Sequence, residues 1–359
     1  MTYLDYQATT PLASEAFEAM LPWLRADQPG AHANPHSPHR EGRRAKAAVE
    51  VARDRVAALL PPGGRVVFTS GATEALNWAI KGTAGPIVTI ATEHAAVLDT
   101  AAATGRPVEL LRVDGEGLVV PAPIAAGTGL VAAMLVNNEV GVVQPIATLA
   151  DAAHDAGALL LCDAVQGYGR VAIPEGCDLI ALSAHKIHGP KGIGALWIRD
   201  GVRLAPLLHG GDQEGGRSGT LSPALCAGFG VAARLMADRA GQDAAHVDRL
   251  WAAATARLGA GWIVNGSRDR RYRGNLNIRR DGLDVARLIS DLRDIGFSAG
   301  SACASGSGRP SHVLRAIGLN DVQARSSIRL GFGRYTSEAE LIDAIDTIAA
   351  AADSQRVGP

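Results

Sequence analysis

Lys186 has the neighbours that a Schiff-base lysine needs. It follows the apolar run 177–182, with Ser183 and His185 shortly before it and a glycine-rich turn beginning at Gly189. The hydroxyl and the imidazole could hold a phosphate group while the amine reaches an aldehyde. Most lysines at strand ends are solvated loop residues, so this run alone leaves both interpretations open.

Two other segments place polar groups directly after apolar runs. The segment 70–73, Ser-Gly-Ala-Thr, offers a hydroxyl and backbone amides at the start of a predicted helix, which favours an anion. Asp163 follows the apolar run 158–161 and could hydrogen-bond a pyridine nitrogen, as a pyridoxal phosphate ring requires to act as an electron sink. Taken singly, the segment 70–73 is equally explained as an ordinary N-cap, and a lone aspartate such as Asp163 is more often a helix cap.

His94 and the pair Asn137-Asn138 end two further predicted strands. The imidazole could stack on a flat cofactor or carry a proton, and an amide could bond a phenolate or a carboxylate. A surface histidine is the simpler explanation for the first segment alone, and a turn, which Asn and Gly favour, for the second. Five strand ends nevertheless carry suitable groups, and that coincidence supports a shared site.

The elements that must position these groups read as an α/β fold. Apolar runs of four to eight residues alternate with alanine-rich helical segments, a pattern typical of a mostly parallel sheet covered on both faces. Ligands of such sheets bind at the carboxyl ends of the strands. Seven strands are predicted, at 65–69, 86–92, 108–113, 130–136, 158–162, 178–183 and 194–199.

A chain of 359 residues is too long for one ordinary core, so two lobes are expected. We predict a large lobe over 14–240 and a small α+β lobe formed by 1–13 and 241–359. The small lobe is predicted to contain strands at 275–278 and 327–330, helices at 283–295 and from 337 to about 351, and a glycine- and serine-rich loop at 300–308.

Composition excludes several classes of function. The net charge of −1 argues against a nucleic-acid or anionic-membrane partner, and no apolar run approaches the roughly 20 residues that span a bilayer. A cytoplasmic location is therefore expected. The four cysteines, at 162, 177, 226 and 303, form no CxxC pair, and His32, His36 and His39 lack carboxylate or thiol companions, so no metal site is expected.

Several motifs together resemble the cysteine desulfurases of the NifS/IscS type. They occur in order between about residues 3 and 335: Tyr3-Leu4-Asp5-Tyr6-Gln7-Ala8-Thr9-Thr10-Pro11, Asn34-Pro35-His36-Ser37, Thr69-Ser70-Gly71-Ala72-Thr73-Glu74, Asn137-Asn138-Glu139, Asp163-Ala164-Val165-Gln166, the lysine run, Arg217-Ser218-Gly219-Thr220 and Gly300-Ser301-Ala302-Cys303. Each motif is weak alone, and the ordered set is specific.

The resemblance implies a fold-type I pyridoxal 5'-phosphate enzyme that works as a homodimer. It implies that Lys186 links to the cofactor aldehyde, Asp163 pairs with the pyridine nitrogen, Gln166 bonds the phenolic oxygen, and His94 stacks on the ring and helps to move protons. Phosphate would be held by Ala72, Thr73, Ser183 and His185, with Thr220 supplied by the neighbouring subunit. Asn138 and Arg329 would hold the substrate carboxylate, and Asn138 would also contact the cofactor.

Cys303 decides the reaction that the resemblance implies. Lys186 would remove the α-proton of bound L-cysteine, Cys303 would attack its sulfur, and the products would be L-alanine and a Cys303 persulfide. Small residues around Cys303 give its loop reach, and an exposed thiol can ionise. The other three cysteines are expected to be packing residues. The sulfur would pass on for iron–sulfur cluster assembly or for thiolation of tRNA or a cofactor.

Two alternatives remain open at this point. An aminotransferase or selenocysteine lyase of the same fold would share Lys186 and Asp163 without needing Cys303, and a sulfur-relay scaffold would have lost catalysis altogether. The sequence ends at Pro359, soon after the predicted last helix, so we expect it to lack the extended tail with which longer family members dock a scaffold protein. The sulfur acceptor, an iron–sulfur scaffold or a tRNA-thiolating enzyme, is therefore left open.

Overall fold

The computed structural model describes residues 1–211, 213–300 and 310–355. The strands are β1 Thr2–Tyr3, β2 Gly64–Thr69, β3 Ile87–Ile90, β4 Val108–Leu111, β5 Leu130–Met134, β6 Leu159–Asp163, β7 Leu179–Ser183, β8 Gly194–Arg199, β9 Ile263–Val264, β10 Asn275–Arg279, β11 Ile295–Gly296, β12 Ser298–Ala299 and β13 Ser327–Gly331. The helices are α1 Ser14–Met20, α2 Arg40–Ala57, α3 Ala72–Gly82, α4 Ala95–Ala103, α5 Ile146–Asp155, α6 Pro223–Asp238, α7 Ala240–Arg257, α8 Val285–Asp291, α9 His312–Ala316, α10 Asp321–Arg325 and α11 Glu338–Ser354.

A seven-stranded sheet in the order β2-β8-β7-β6-β5-β3-β4 forms the centre of the molecule. Strand β8 pairs antiparallel with both of its neighbours, and the other pairs are parallel. The carboxyl ends of the remaining six strands therefore meet at one edge. This confirms the predicted α/β fold with its mostly parallel sheet.

Apolar side chains cover both faces of this sheet, as the continuous apolar runs require. One face packs against α2 and α6, through residues such as Val49 and Phe229. The other packs against α3 and α4, through residues such as Leu76 and Val97. The strands are thereby fixed from both sides, and their polar ends are left at the edge.

A second apolar core lies around the antiparallel sheet β12-β13-β10-β9. Helices α7 and α11 pack onto it, with Trp251, Leu330 and Ile345 buried together. The N-terminal Leu4 joins this core because β1 pairs with β11. These contacts support the two-lobe division at residue 240, which stays a prediction.

The helix predicted over 283–295 is shorter in the structure. Helix α8 ends at Asp291, and Ile295–Gly296 instead forms strand β11, which pairs with Thr2–Tyr3. A partner almost 300 residues away in the chain overrides the local helical pattern. None of the helices in the three described ranges is both long and apolar enough to cross a bilayer.

Candidate active site

A cleft of about 490 Å³ opens at the carboxyl edge of the large sheet. Nine of the twelve predicted site residues line it: Ala72, Thr73, His94, Asn138, Asp163, Gln166, Ser183, His185 and Lys186. Of the other three, Arg329 lies behind the wall, Thr220 is exposed, and Cys303 falls outside the described residues. The strand ends that the sequence singled out therefore do converge.

The Lys186 amine projects from a 3₁₀ turn, Ala184–Lys186, that follows β7 directly. Its Nζ donates to the carbonyl oxygens of Gln7 and Ala8 at 2.5 and 2.9 Å. Burial lowers the pKa of Lys186 to about 8, and the positive charge of Arg329 acts in the same direction. About a tenth of the amine is thus neutral, and nucleophilic, at pH 7.

The N-terminal segment holds this lysine turn in place. Thr10 donates its amide and its hydroxyl to the carbonyl of His185, both at 2.9 Å, and its Oγ1 accepts the His188 amide at 2.7 Å. His188 adopts φ 68°, a left-handed conformation that costs energy outside glycine and persists only where neighbours enforce it. The motif at residues 3–11 thus acquires a structural role that the sequence did not show.

Asp163 ends β6 at the floor of the cleft. Its Oδ1 accepts the Val165 amide at 3.0 Å. Burial raises the pKa of Asp163, while the Val165 bond and the nearby His94 and Lys186 act against that rise. A buried carboxylate of this kind is stabilised by a proton-bearing or cationic group placed against it, as a protonated pyridine nitrogen would be.

His94 caps helix α4 and is oriented by that helix. Its Nδ1 accepts the Ala96 amide at 3.0 Å, which assigns the proton of the neutral ring to Nε2. Burial lowers the pKa of His94, so the ring is neutral at pH 7. The imidazole is therefore a fixed neutral ring in the cleft wall, suited to stacking or to proton transfer.

The start of α3 forms another part of the cleft wall. Gly71 caps this helix without a side-chain bond, and Ala72 and Thr73 line the cleft beside it. Helix N-termini favour anions because their first amides lack intrahelical partners. His185 lies nearby, and burial lowers its pKa to about 4, so it would offer a phosphate a neutral imidazole.

Arg329 and Gln166 are already engaged by protein groups. Arg329 is fully buried and donates to Asp5 Oδ1 at 2.6 Å and to the Asn138 carbonyl at 3.1 Å. The Gln166 amide nitrogen donates to the Gln7 carbonyl at 2.9 Å, and its buried Oε1 has no partner among the described residues. Their predicted contacts with substrate and cofactor stay predictions.

The loop that carries Thr220 is fastened to its own large lobe. Glu214, buried in this loop, accepts from Arg53 at 2.7 and 2.8 Å and from the Phe68 amide at 2.7 Å. Arg217 pairs with Glu74 of α3 at 2.8 Å. Thr220 itself is exposed and does not line the cleft of its own chain.

Cys162, Cys177 and Cys226 are buried, which confirms that they are packing residues. Burial raises the pKa of Cys226 to about 12, so its thiolate is scarce at neutral pH. Within 1–211, 213–300 and 310–355, no three histidine, cysteine, aspartate or glutamate side chains are grouped to hold a metal ion.

Comparison with known proteins shows which family the chain resembles. The pattern of the family Aminotransferase class-V matches residues 2–344. The chain is 40% identical to the cysteine desulfurase IscS of Rickettsia akari (strain Hartford), covering 99% of this chain and 92% of that protein. It is 42% identical to the mitochondrial cysteine desulfurase of Saccharomyces cerevisiae, over 94% of this chain and 72% of that protein.

A solved structure agrees with these sequence matches. The NifS-like protein of Rickettsia africae superposes with a TM-score of 0.89 at 27% identity, covering 98% of this chain and 99% of that one. The likeness therefore extends over both the large sheet and the second core.

Proposed function

Because the chain belongs to the aminotransferase class-V family, and within it to the cysteine desulfurases of the NifS/IscS type, we propose that its cleft binds pyridoxal 5'-phosphate and takes sulfur from L-cysteine. Enzymes of this family depend on that cofactor. The observation that carries the proposal is the convergence of Lys186, Asp163 and the start of α3 on one cleft.

The residues present fit the cofactor. A phosphate needs donors, which the start of α3, Ser183 and His185 supply, and a pyridine nitrogen needs a carboxylate, which Asp163 supplies from the cleft floor. The buried Gln166 Oε1, without a partner among the described residues, is a further polar atom in the wall that a ligand could satisfy. We assign Lys186 to the bond with the cofactor aldehyde and His94 to stacking on the face of the cofactor ring.

When bound, the cofactor supplies an electron sink for the negative charge that develops at the substrate Cα. Lys186 Nζ takes the proton from Cα and returns a proton to Cα when L-alanine forms. Asp163 keeps a proton on the ring nitrogen, and the His94 Nε2 is placed to pass a proton. These are distinct proton tasks for three side chains of one cleft.

Cys303 completes the reaction. Its thiolate attacks the sulfur of L-cysteine, a sulfur–sulfur bond forms, and the carbon–sulfur bond breaks with its electron pair left on carbon. That carbon takes a proton and becomes the methyl group of L-alanine, so L-cysteine and the enzyme thiol give L-alanine and the enzyme persulfide. Asn138 and Arg329 are proposed to hold the substrate carboxylate, which would share the Arg329 guanidinium with Asp5.

The experiment is to add L-cysteine to the purified protein and follow three signals. We expect the absorbance of the bound cofactor to change, L-alanine to appear, and Cys303 to gain the mass of one sulfur atom. A protein that binds the cofactor but forms no L-alanine would contradict the proposal and favour a sulfur-relay scaffold.

We further propose that Thr220 completes the phosphate site of the neighbouring subunit in a homodimer. Its exposure, on a loop that Glu214 and Arg217 hold to the large lobe, supports a role outside its own cleft. The test combines one subunit carrying Thr220→Ala with one carrying Lys186→Ala. Such a heterodimer contains one intact site if Thr220 acts across the interface, so about half of the unmodified activity is expected.

Each homodimeric variant serves as a control, because neither contains an intact site. A heterodimer with no more activity than the Thr220→Ala homodimer would mean that Thr220 acts within its own subunit.

The destination of the sulfur and the location of the protein are also proposals. Transfer to an iron–sulfur scaffold or to a tRNA- or cofactor-thiolating enzyme fits a persulfide product. Three free, buried cysteines are compatible with the reducing cytoplasm.

A further inference from the structure

A buried polar cluster joins the small lobe to the cleft wall on either side of the segment that carries Cys303. The segment is flanked by Gly300 on one side and by Pro310 and Ser311 on the other. Glu139, in the connection that follows β5, lies between them and is almost fully buried, at 2% exposure. It immediately follows Asn138, which lines the cleft.

The carboxylate of Glu139 holds Ser311, just beyond the segment. Ser311 donates its hydroxyl to Glu139 Oε2 at 2.5 Å, and the same Oγ accepts the Leu314 amide at the start of α9. Burial raises the pKa of Glu139, and the Ser311 bond counters that rise. A buried carboxyl group with one such partner is costly to leave unpaired, so the bond is strongly favoured.

The backbone of Glu139 is tied to the residue before the segment. The side-chain nitrogen of Asn277 donates to the Glu139 carbonyl at 3.0 Å and to the Gly300 carbonyl at 3.3 Å. Asn277 is fully buried, and Asn265 donates to its Oδ1 at 2.7 Å, so its orientation is fixed. Both flanks of the segment therefore lead to Glu139, the chain neighbour of the cleft residue Asn138.

His312 repeats this arrangement one residue further on. Its Nε2 lies 2.8 Å from the carbonyl oxygen of Glu93, and a carbonyl can only accept, so this nitrogen carries the proton. Glu93 immediately precedes His94 of the cleft. Ser311 and His312 are thus bound to Glu139 and Glu93, and each of these glutamates is the chain neighbour of a residue that lines the cleft.

We propose that Glu139 is a positioning residue for sulfur transfer, holding both ends of the Cys303 segment against the wall that carries Asn138. This inference rests on the proposed role of Cys303. Transfer requires the thiolate to approach the substrate sulfur closely, and misplacement by about 1 Å can cost about a hundredfold in rate. Glu139 would set that approach without touching the substrate.

The test separates substrate binding from persulfide formation. In Ser311→Ala, we expect the absorbance change with L-cysteine to keep its concentration dependence, while the rate of Cys303 persulfide formation falls about tenfold. Ser311→Gly removes the same hydroxyl and retains a tolerated helix cap, so it should behave alike even if the alanine variant is unstable. Glu139→Gln keeps an acceptor and should lose less.

Ser267→Ala is the matched control. Ser267 is as buried as Ser311, donates to a glutamate (Glu116 at 3.0 Å), and accepts an amide three residues on, from Arg270. It contacts neither end of the Cys303 segment. The unmodified rate in Ser267→Ala, with loss in both Ser311 variants, would support the inference.

Three results would overturn it: an unchanged persulfide rate in both Ser311 variants, an equal loss in Ser267→Ala, or a loss confined to the cysteine-induced absorbance change. Failure of the proposed function is distinguishable, because turnover that survives Cys303→Ser would refute the role of Cys303 itself. Turnover lost in Cys303→Ser but unaltered in the Ser311 variants would refute only the role of Glu139.

Discussion

Replacement of Lys186 by alanine is expected to lower the turnover of L-cysteine at least about a thousandfold, because the variant lacks both the amine that captures the cofactor and the base for the α-proton. The visible absorbance of the lysine-bound cofactor should disappear as well. The measurement is L-alanine formation together with the absorption spectrum after incubation with pyridoxal 5'-phosphate. Lys81→Ala, at the exposed end of α3, is the control and should retain both signals.

The pH dependence of cofactor capture tests the same residue in the unmodified chain. Only the neutral amine attacks the aldehyde, and the Lys186 pKa of about 8 lies below the ordinary value for lysine. The neutral fraction rises as pH rises through this pKa, so cofactor-free protein should bind pyridoxal phosphate about tenfold faster at pH 9 than at pH 7. A rate still climbing steeply above pH 10, or turnover retained in Lys186→Ala, would contradict the assignment.

Cys303→Ser is expected to reduce L-alanine formation from L-cysteine about a hundredfold or more while leaving cofactor binding intact. A serine hydroxyl is hardly ionised at neutral pH and cannot accept the sulfur atom as a persulfide. The measurements are L-alanine release and the mass of the protein after exposure to L-cysteine. Cys226→Ala is the control, because burial raises the pKa of that thiol to about 12 and removes it from sulfur chemistry.

This substitution also decides between the alternatives that share the fold. An aminotransferase or a selenocysteine lyase needs the lysine and the aspartate but no thiol. Turnover of L-cysteine that persisted in Cys303→Ser would favour such a lyase. Loss of the persulfide with retained cofactor absorbance would support the desulfurase mechanism.

The large sheet was predictable because its strands are buried on both faces and therefore leave continuous apolar runs. All seven predicted strands are present, and β8 has the predicted bounds of 194–199. The polar groups after five of these runs could be ranked as site residues because parallel strands end at a common edge. Lys186, Asp163 and His94 were found in this way, and they do share a cleft.

Other features have no signature in the local sequence. The Lys186 amine bonds backbone carbonyls at residues 7 and 8, and every residue has a carbonyl, so no side-chain pattern could reveal these partners. Glu139 stood inside a recognised motif, yet its role depends on Ser311, 172 residues away. Such partners follow from tertiary packing, as does the early end of α8.

Strand β8, which runs antiparallel to the rest of the large sheet, affects the conformational entropy of the loop that carries Lys186. Ser183 and Gly194 face each other in adjacent strands, so residues 184–193 form a loop whose ends lie about one strand spacing, roughly 4.8 Å, apart. A parallel successor strand would have required a crossover of about a dozen residues or more. The shorter loop loses less conformational entropy on closure. The hydrogen bonds of Thr10 to residues 185 and 188 restrict the conformational freedom that the loop still has. Lys186 is therefore held at the cleft by the folding of the sheet itself, before any cofactor arrives.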